Sequence, residues 1–96
     1  MTEIVRMKHV EPILFGVLKL IWEDGFKAVV DVRSVIGDGE IFEFLGRTPD
    51  RFDQVKLEPY GHYVFWLDDD GDEIEFGSDM LRQRAERQAE ILRLAS

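Results

Sequence analysis

The chain has 96 residues, 45% of them apolar, no cysteine, and a formal net charge of −8. That length holds one domain, residues 1–96, with a modest core. The missing cysteines exclude disulfides, thiolate metal sites and thiol nucleophiles. The negative charge opposes nucleic-acid binding, which draws its affinity from Lys and Arg on phosphates.

Uncharged runs such as residues 12–18 fall far short of the roughly 20 residues needed to span a bilayer. No basic stretch followed by an apolar one opens the chain, so no secretory signal and no membrane are expected, and the cytoplasm is the expected location. The charge is unevenly placed. Eight of the twelve basic and seventeen of the twenty acidic residues precede Ser78, so residues 1–77 carry −9 and residues 78–96 carry +1.

Taken in chain order, Val5, Met7 and His9 alternate with Arg6 and Lys8, a strand expected to end at Pro12. Residues 15–23 alternate next, with Leu18, Leu20 and Trp22 on one face. Asp24-Gly25 then reads as a type I′ hairpin turn, in which both positions need positive φ. The return strand spans residues 26–32, with Phe26, Ala28, Val30 and Val32 together. The middle, residues 33–54, is less regular. It contains a turn cluster at Ile36-Gly37-Asp38-Gly39, an apolar stretch from Ile41 to Leu45, and a helix start at Thr48-Pro49-Asp50 that carries Phe52 inward. Residues 55–58 and 62–67 are predicted strands across a Pro59-Tyr60-Gly61 turn, and residues 73–76 form a last short strand after a polar turn. In residues 62–67, Val64 and Trp66 share one face while Tyr63, Phe65 and Leu67 share the other. This predicts a strand covered on both sides, by the middle segment and by the C-terminal helix or a second chain.

From Ser78 the period changes. Leu81, Ala85, Gln88, Ala89, Leu92 and Ala95 recur at three- and four-residue spacing, which predicts a helix of about four turns or more, with Ser78 as its N-cap. The fold class expected is therefore α+β: an antiparallel sheet of five to six strands, a short helical middle segment and a C-terminal helix.

Sites for chemistry fail on named positions. Asp68, Asp70 and Asp72 match three places of a calcium loop around Gly71, but its first and twelfth places fall on Trp66 and Gly77. Gly37-Asp38-Gly39 gives two glycines of a dinucleotide fingerprint and nothing more. His9 and His62 lie far apart, each in a strand. Asp31 and Arg33 end the return strand with no nucleophile or histidine beside them, so Asp31 is expected to satisfy local amides. Trp22 and Trp66 read as core. No catalytic, cofactor-binding or metal residue is expected. The stripe of Leu81, Arg84, Ala85, Gln88, Ile91 and Leu92 is the candidate surface for a partner or a second copy.

Several pieces resemble a bacterial family described as domain of unknown function 2442. They are Val10-Glu11-Pro12, the run from Leu18 to Gly25, Val30-Asp31-Val32, Ile41 and Phe42 with Leu45, Phe52 with Val55, and Tyr63-Val64-Phe65-Trp66. Together they span residues 7–76. The resemblance implies a small prokaryotic α+β protein without assigned chemistry. For some relatives it implies antitoxin-like pairing with a co-encoded small protein. Others carry a helix-turn-helix, which a single helix after residue 78 does not supply. The sequence departs from the pattern at residues 67–72, where Leu67 and a run of aspartates stand in place of the Pro and polar turn that often follow the Trp. The expected function is a non-enzymatic interaction or regulatory module, antitoxin-like and homodimeric. The alternative is a small ligand-binding or enzymatic domain that uses Asp31 and Arg33, or the acidic loop of Asp68, Asp69, Asp70, Asp72 and Glu73.

Overall fold

Alternating apolar residues build two antiparallel sheets whose inner faces share one core. In the computed structural model, which describes residues 5–36, 40–46 and 49–95, the first sheet has the order β1 (Met7–Leu14), β2 (Val17–Trp22), β3 (Lys27–Asp31). The second has the order β4 (Lys56–Leu57), β5 (Tyr63–Leu67), β6 (Glu73–Gly77). The α+β class holds, with six strands divided between two sheets instead of joined in one. Along the chain, three short helices come between the two sheets: α1 (Arg33–Ile36), α2 (Glu40–Gly46) and α3 (Pro49–Phe52). The chain continues from β6 directly into α4 (Ser78–Ala95). The turn cluster at Gly37-Asp38-Gly39 and the Thr48 cap lie outside the described residues.

Leu18, Leu20, Trp22 and Val30 from the first sheet meet Val64, Trp66 and Phe76 from the second, together with Ile36, Leu45, Phe52 and Leu81 from the helices. Apolar burial of this kind is the main favourable term in folding. Phe52 links the short helices to the core: its ring lies 5.6 Å from Phe15 and 5.4 Å from Trp66, and its carbonyl accepts the Trp66 indole N–H at 2.9 Å. Both tryptophans stand in the core where the alternation put them, and Phe52 points inward from its helical turn as expected.

β1 lies beside β4, and α4 touches both β3 and β6, so the helix closes the gap between the outer strands of the two sheets. At the β1 end the approach is close. Met7 N–H donates to the Gly61 carbonyl at 2.8 Å. A Cβ on Gly61, which sits at φ 74°, would come within 2.2 Å of the Met7 carbonyl oxygen.

Several local expectations need correction. β1 runs through Pro12 to Leu14; it is an outer strand of its sheet, where a missing N–H is tolerated, and its register shifts on either side of His9–Pro12. The second strand begins at Val17, because Phe15 and Gly16 form the turn that precedes it. The Asp24-Gly25 hairpin exists, but its loop has three residues. Trp22 N–H donates to the Phe26 carbonyl, Gly25 N–H donates to the Trp22 carbonyl, and Gly25 takes φ 92° while Asp24 does not go positive. This is the turn-plus-bulge hairpin, in which one left-handed residue suffices, in place of type I′. The apolar stretch around Phe44 and Leu45 is the helix α2.

Ser78 does not cap its own helix through its side chain. The hydroxyl, almost fully buried, accepts the Trp22 indole N–H at 3.0 Å and donates to the Val5 carbonyl, while the Ser78 N–H donates to the His62 carbonyl at 2.8 Å. Asp79 Oδ1 accepts the Met80 N–H instead. Removing the hydroxyl strands a buried indole N–H, so Ser78→Ala is expected to lower unfolding free energy by about 1–3 kcal/mol. Urea unfolding checks this, and a loss under about 0.5 kcal/mol, the size of an ordinary surface change, would contradict the assignment.

Candidate interaction surface

α4 is built in two parts. Through Gln88 it is fastened to the body. Arg82 pairs with Asp24 at 3.0 Å and with Glu86 at 3.0 Å, and its guanidinium lies 4.1 Å from the Phe26 ring centre and 5.3 Å from that of Trp22. Hydrogen bonding from Arg82, and then from the Phe26 amide, holds the Asp24 carboxyl below its ordinary 3.8. Arg84 Nη1 donates to the Ser34 hydroxyl at 3.0 Å. The Gln88 amide meets the Asp31 peptide on both sides: its Oε1 accepts the Asp31 N–H at 3.1 Å, and its Nε2 donates to the Asp31 carbonyl at 2.9 Å. Because β3 is an outer strand, this side chain stands in for a neighbouring strand's peptide and blunts the edge against further pairing.

Beyond Gln88 no residue of α4 is buried. Ile91 is 56% exposed, Leu92 71% and Leu94 71%, against 0% for Leu81 and 2% for Ala85 in the fastened part. Leu92 continues the inward stripe of Leu81 and Ala85 past the point where the body ends. Ile91 and Leu94 belong to a second stripe, Met80, Arg84, Arg87, Ile91 and Leu94, spaced four, three, four and three residues apart and hence on one side of the helix. An open groove of about 720 Å³ follows α4, with Met80, Arg84, Arg87 and Ile91 in its lining.

A second open face lies on the β4–β6 sheet. β5 presents Tyr63, Phe65 and Leu67 outward, with Tyr63 and Phe65 edge to face at 5.8 Å and Leu67 46% exposed. On this side Tyr63 and Phe65 are half-buried and Leu67 is open, so the full cover expected for the strand's second side is not supplied by the middle segment or by α4. On the same face Lys56 lies opposite Phe65 on β4, while Glu75 lies opposite Phe65 and Glu73 opposite Leu67 on β6. Tyr63 donates to Glu73 Oε1 at 3.1 Å; partial burial, then this bond, raise the phenol above its ordinary 10.0.

The candidate stripe read from the sequence therefore divides. Leu81 and Ala85 belong to the core, Arg84 and Gln88 are engaged within the chain, and Ile91 and Leu92 are open. Sequence periodicity cannot show where the body stops beneath a helix. Arg87 was missed, although the second stripe is visible in the spacing.

The alternative site residues are occupied locally. Arg33 clasps Asp31, with Nη2 to Oδ2 at 2.6 Å and Nε to Oδ1 at 3.0 Å, and its own N–H donates to Oδ1 at 2.9 Å. The Arg33 side-chain bonds, then that backbone bond, lower the Asp31 pKa from 3.8, which suits a fixed counter-ion more than a proton carrier near neutrality. In the acidic loop, Asp68 Oδ1 accepts the Asp70 and Asp72 amides, each at 2.9 Å, and Asp69 pairs with Arg51 at 3.2 Å. His9 faces Glu11 at 3.4 Å and His62 faces Glu58 at 3.8 Å. Burial pushes the Glu58 carboxyl upward, but the His62 and Tyr60 amides outweigh it and leave the pKa below 4.5. Among the described residues no group of three or more His, Asp or Glu is placed to hold a metal ion, and no helix is long and apolar enough to cross a membrane. Comparison with protein-family models, curated proteins and solved structures returned no match.

The division of α4 has a direct thermodynamic signature. Leu81→Ala is expected to destabilise by about 2–5 kcal/mol through loss of burial and a residual cavity. Leu92→Ala, three turns along the same stripe, is expected to change stability by about 0.5 kcal/mol or less. Denaturant melts of the two variants decide it: comparable losses at both positions would mean that the end of α4 is packed as tightly as its start.

Proposed function

We propose that this chain is a non-enzymatic protein-interaction module whose docking element is the projecting end of α4. The observation that carries this reading is the exposure of Ile91, Leu92 and Leu94 within two helical turns. Single exposed apolar residues are ordinary, and Tyr60 and Val29 are examples elsewhere in the chain. Three on one short projection, Ile91 and Leu94 on one side and Leu92 on the next, leave apolar surface whose burial against a partner is favourable by about 25 cal/mol per Å².

The fastening of the first three turns supports the same reading. Arg82, Arg84 and Gln88 fix the helix direction, so a partner meets a segment already ordered and spends less on ordering it. The competing enzymatic reading has less support, since Asp31 and Arg33 neutralise each other and Asp68 is committed to its own loop. Pairing with a co-encoded small protein, the antitoxin-like role implied by the resemblance to the family of unknown function, is one use of such a module.

A photo-crosslinking amino acid placed at Ile91 tests this in cells that express the chain. Irradiation is expected to give a discrete protein adduct from position 91, and none from position 27 on the first sheet. Equal labelling at both positions, or none at 91, would contradict the reading.

A further inference from the structure

We infer that the occupant of this surface is a second copy of the chain. Each copy lays the outer stripe of its α4 on the open face of the other's β4–β6 sheet, in a reciprocal twofold pair. This rests on the proposed function and adds the identity and seat of the partner.

The two surfaces match in shape, apolar content and charge. The segment from Arg84 to Leu94 is about 15 Å long at 1.5 Å per residue. The outward row Tyr63, Phe65, Leu67 is about 13 Å long at the rise of a strand. Apolar side chains stand on both surfaces: Ile91 and Leu94 at the outer end of the helix segment, and the three residues of β5 on the sheet.

The flanks carry opposite charges in matching order. Across the helix, Glu90 lies to one side of the line through Ile91 and Leu94 and Arg84 to the other, with Arg87 between them, as the 100° step per residue requires. Across the sheet the row is bordered by Lys56 on β4 and by Glu73 and Glu75 on β6. One direction of the helix along β5 sets Arg84 against the β6 carboxylates and Glu90 against Lys56; the opposite direction sets like charges together on both flanks. Arg84 spends one N–H on the Ser34 hydroxyl, but neither it, Arg87 nor Glu75 makes an ion pair among the described residues, and Glu90 meets Arg93 only in an exposed pair at 3.8 Å that the partner's Lys56 can replace. The net charge of −8 opposes self-association, and this pairing places the arginines of one copy where the other is acidic.

Size selects a reciprocal pair over contact between the two helix ends alone. The part of α4 beyond Gln88 spans about 10 Å, too little to bury the ~800 Å² per partner of a stable interface. In the twofold arrangement each copy contributes a helix and a sheet face, which doubles the contact.

The test is sedimentation velocity over a concentration series, with charge-reversed variants. The unaltered chain is expected to dimerise in the micromolar range. Arg84→Glu and Glu75→Arg are each expected to weaken the dimer about tenfold, and the double variant to recover to within about threefold of the original. Thermal melts confirm that each variant folds. A chain that is monomeric at about 100 μM overturns the second-copy assignment; an adduct from position 91 to a different protein then leaves the interaction reading intact. A dimer that is indifferent to both reversals, or not rescued by the double variant, overturns this seating.

Discussion

The Ser78 hydroxyl is the junction on which the arrangement of this chain depends. It receives the indole N–H of Trp22 from the first sheet and donates to the Val5 carbonyl, while its own backbone N–H reaches His62 at the start of β5. One small residue thus joins both sheets, the approach to β1, and the first turn of α4. A hydroxyl can do this because it is donor and acceptor at once, and its burial makes each bond expensive to lose. Trp22 in turn has its ring beneath the Arg82 guanidinium, so the same contact that seats the tryptophan sets the angle at which the helix leaves the body.

From that junction the helix direction is fixed by successive contacts of different kinds. Arg82 brings charge and a cation–π contact to the hairpin loop, Leu81 and Ala85 bring apolar burial, and Gln88 brings a peptide-like pair to the edge of β3. The Gln88 pair also removes a liability, since an open outer strand invites uncontrolled pairing. What they leave over is the end of the helix and the outward face of β5, where the chain keeps apolar surface that its own fold does not use.

Much of this architecture was legible in the sequence. Alternation located the strands, Asp24-Gly25 located the hairpin, and the change of period at Ser78 located α4. The division into two sheets was not legible, because alternation says which side chains share a face and not which strands are neighbours. The hairpin type was misread because a three-residue loop and a two-residue loop both place Gly at the same position. Ser78 read as a cap because a serine before a helix usually binds locally, and its partners at positions 5 and 22 are remote in the chain. For the candidate surface the spacing gave the inward stripe correctly but not its length of cover. Leu81 and Leu92 are indistinguishable by period, and only the extent of the sheets beneath them separates core from surface.

Hydrogen exchange along α4 tests most directly whether the helix is divided at Gln88. At low micromolar concentration, the amides of residues 82–88 should exchange with protection close to that of the core strands. The amides of residues 93–95, whose bonds are made to the projecting turns, should exchange orders of magnitude faster. Uniform protection from residue 82 to residue 95 would show that the end of α4 is held like its beginning, and would contradict the account.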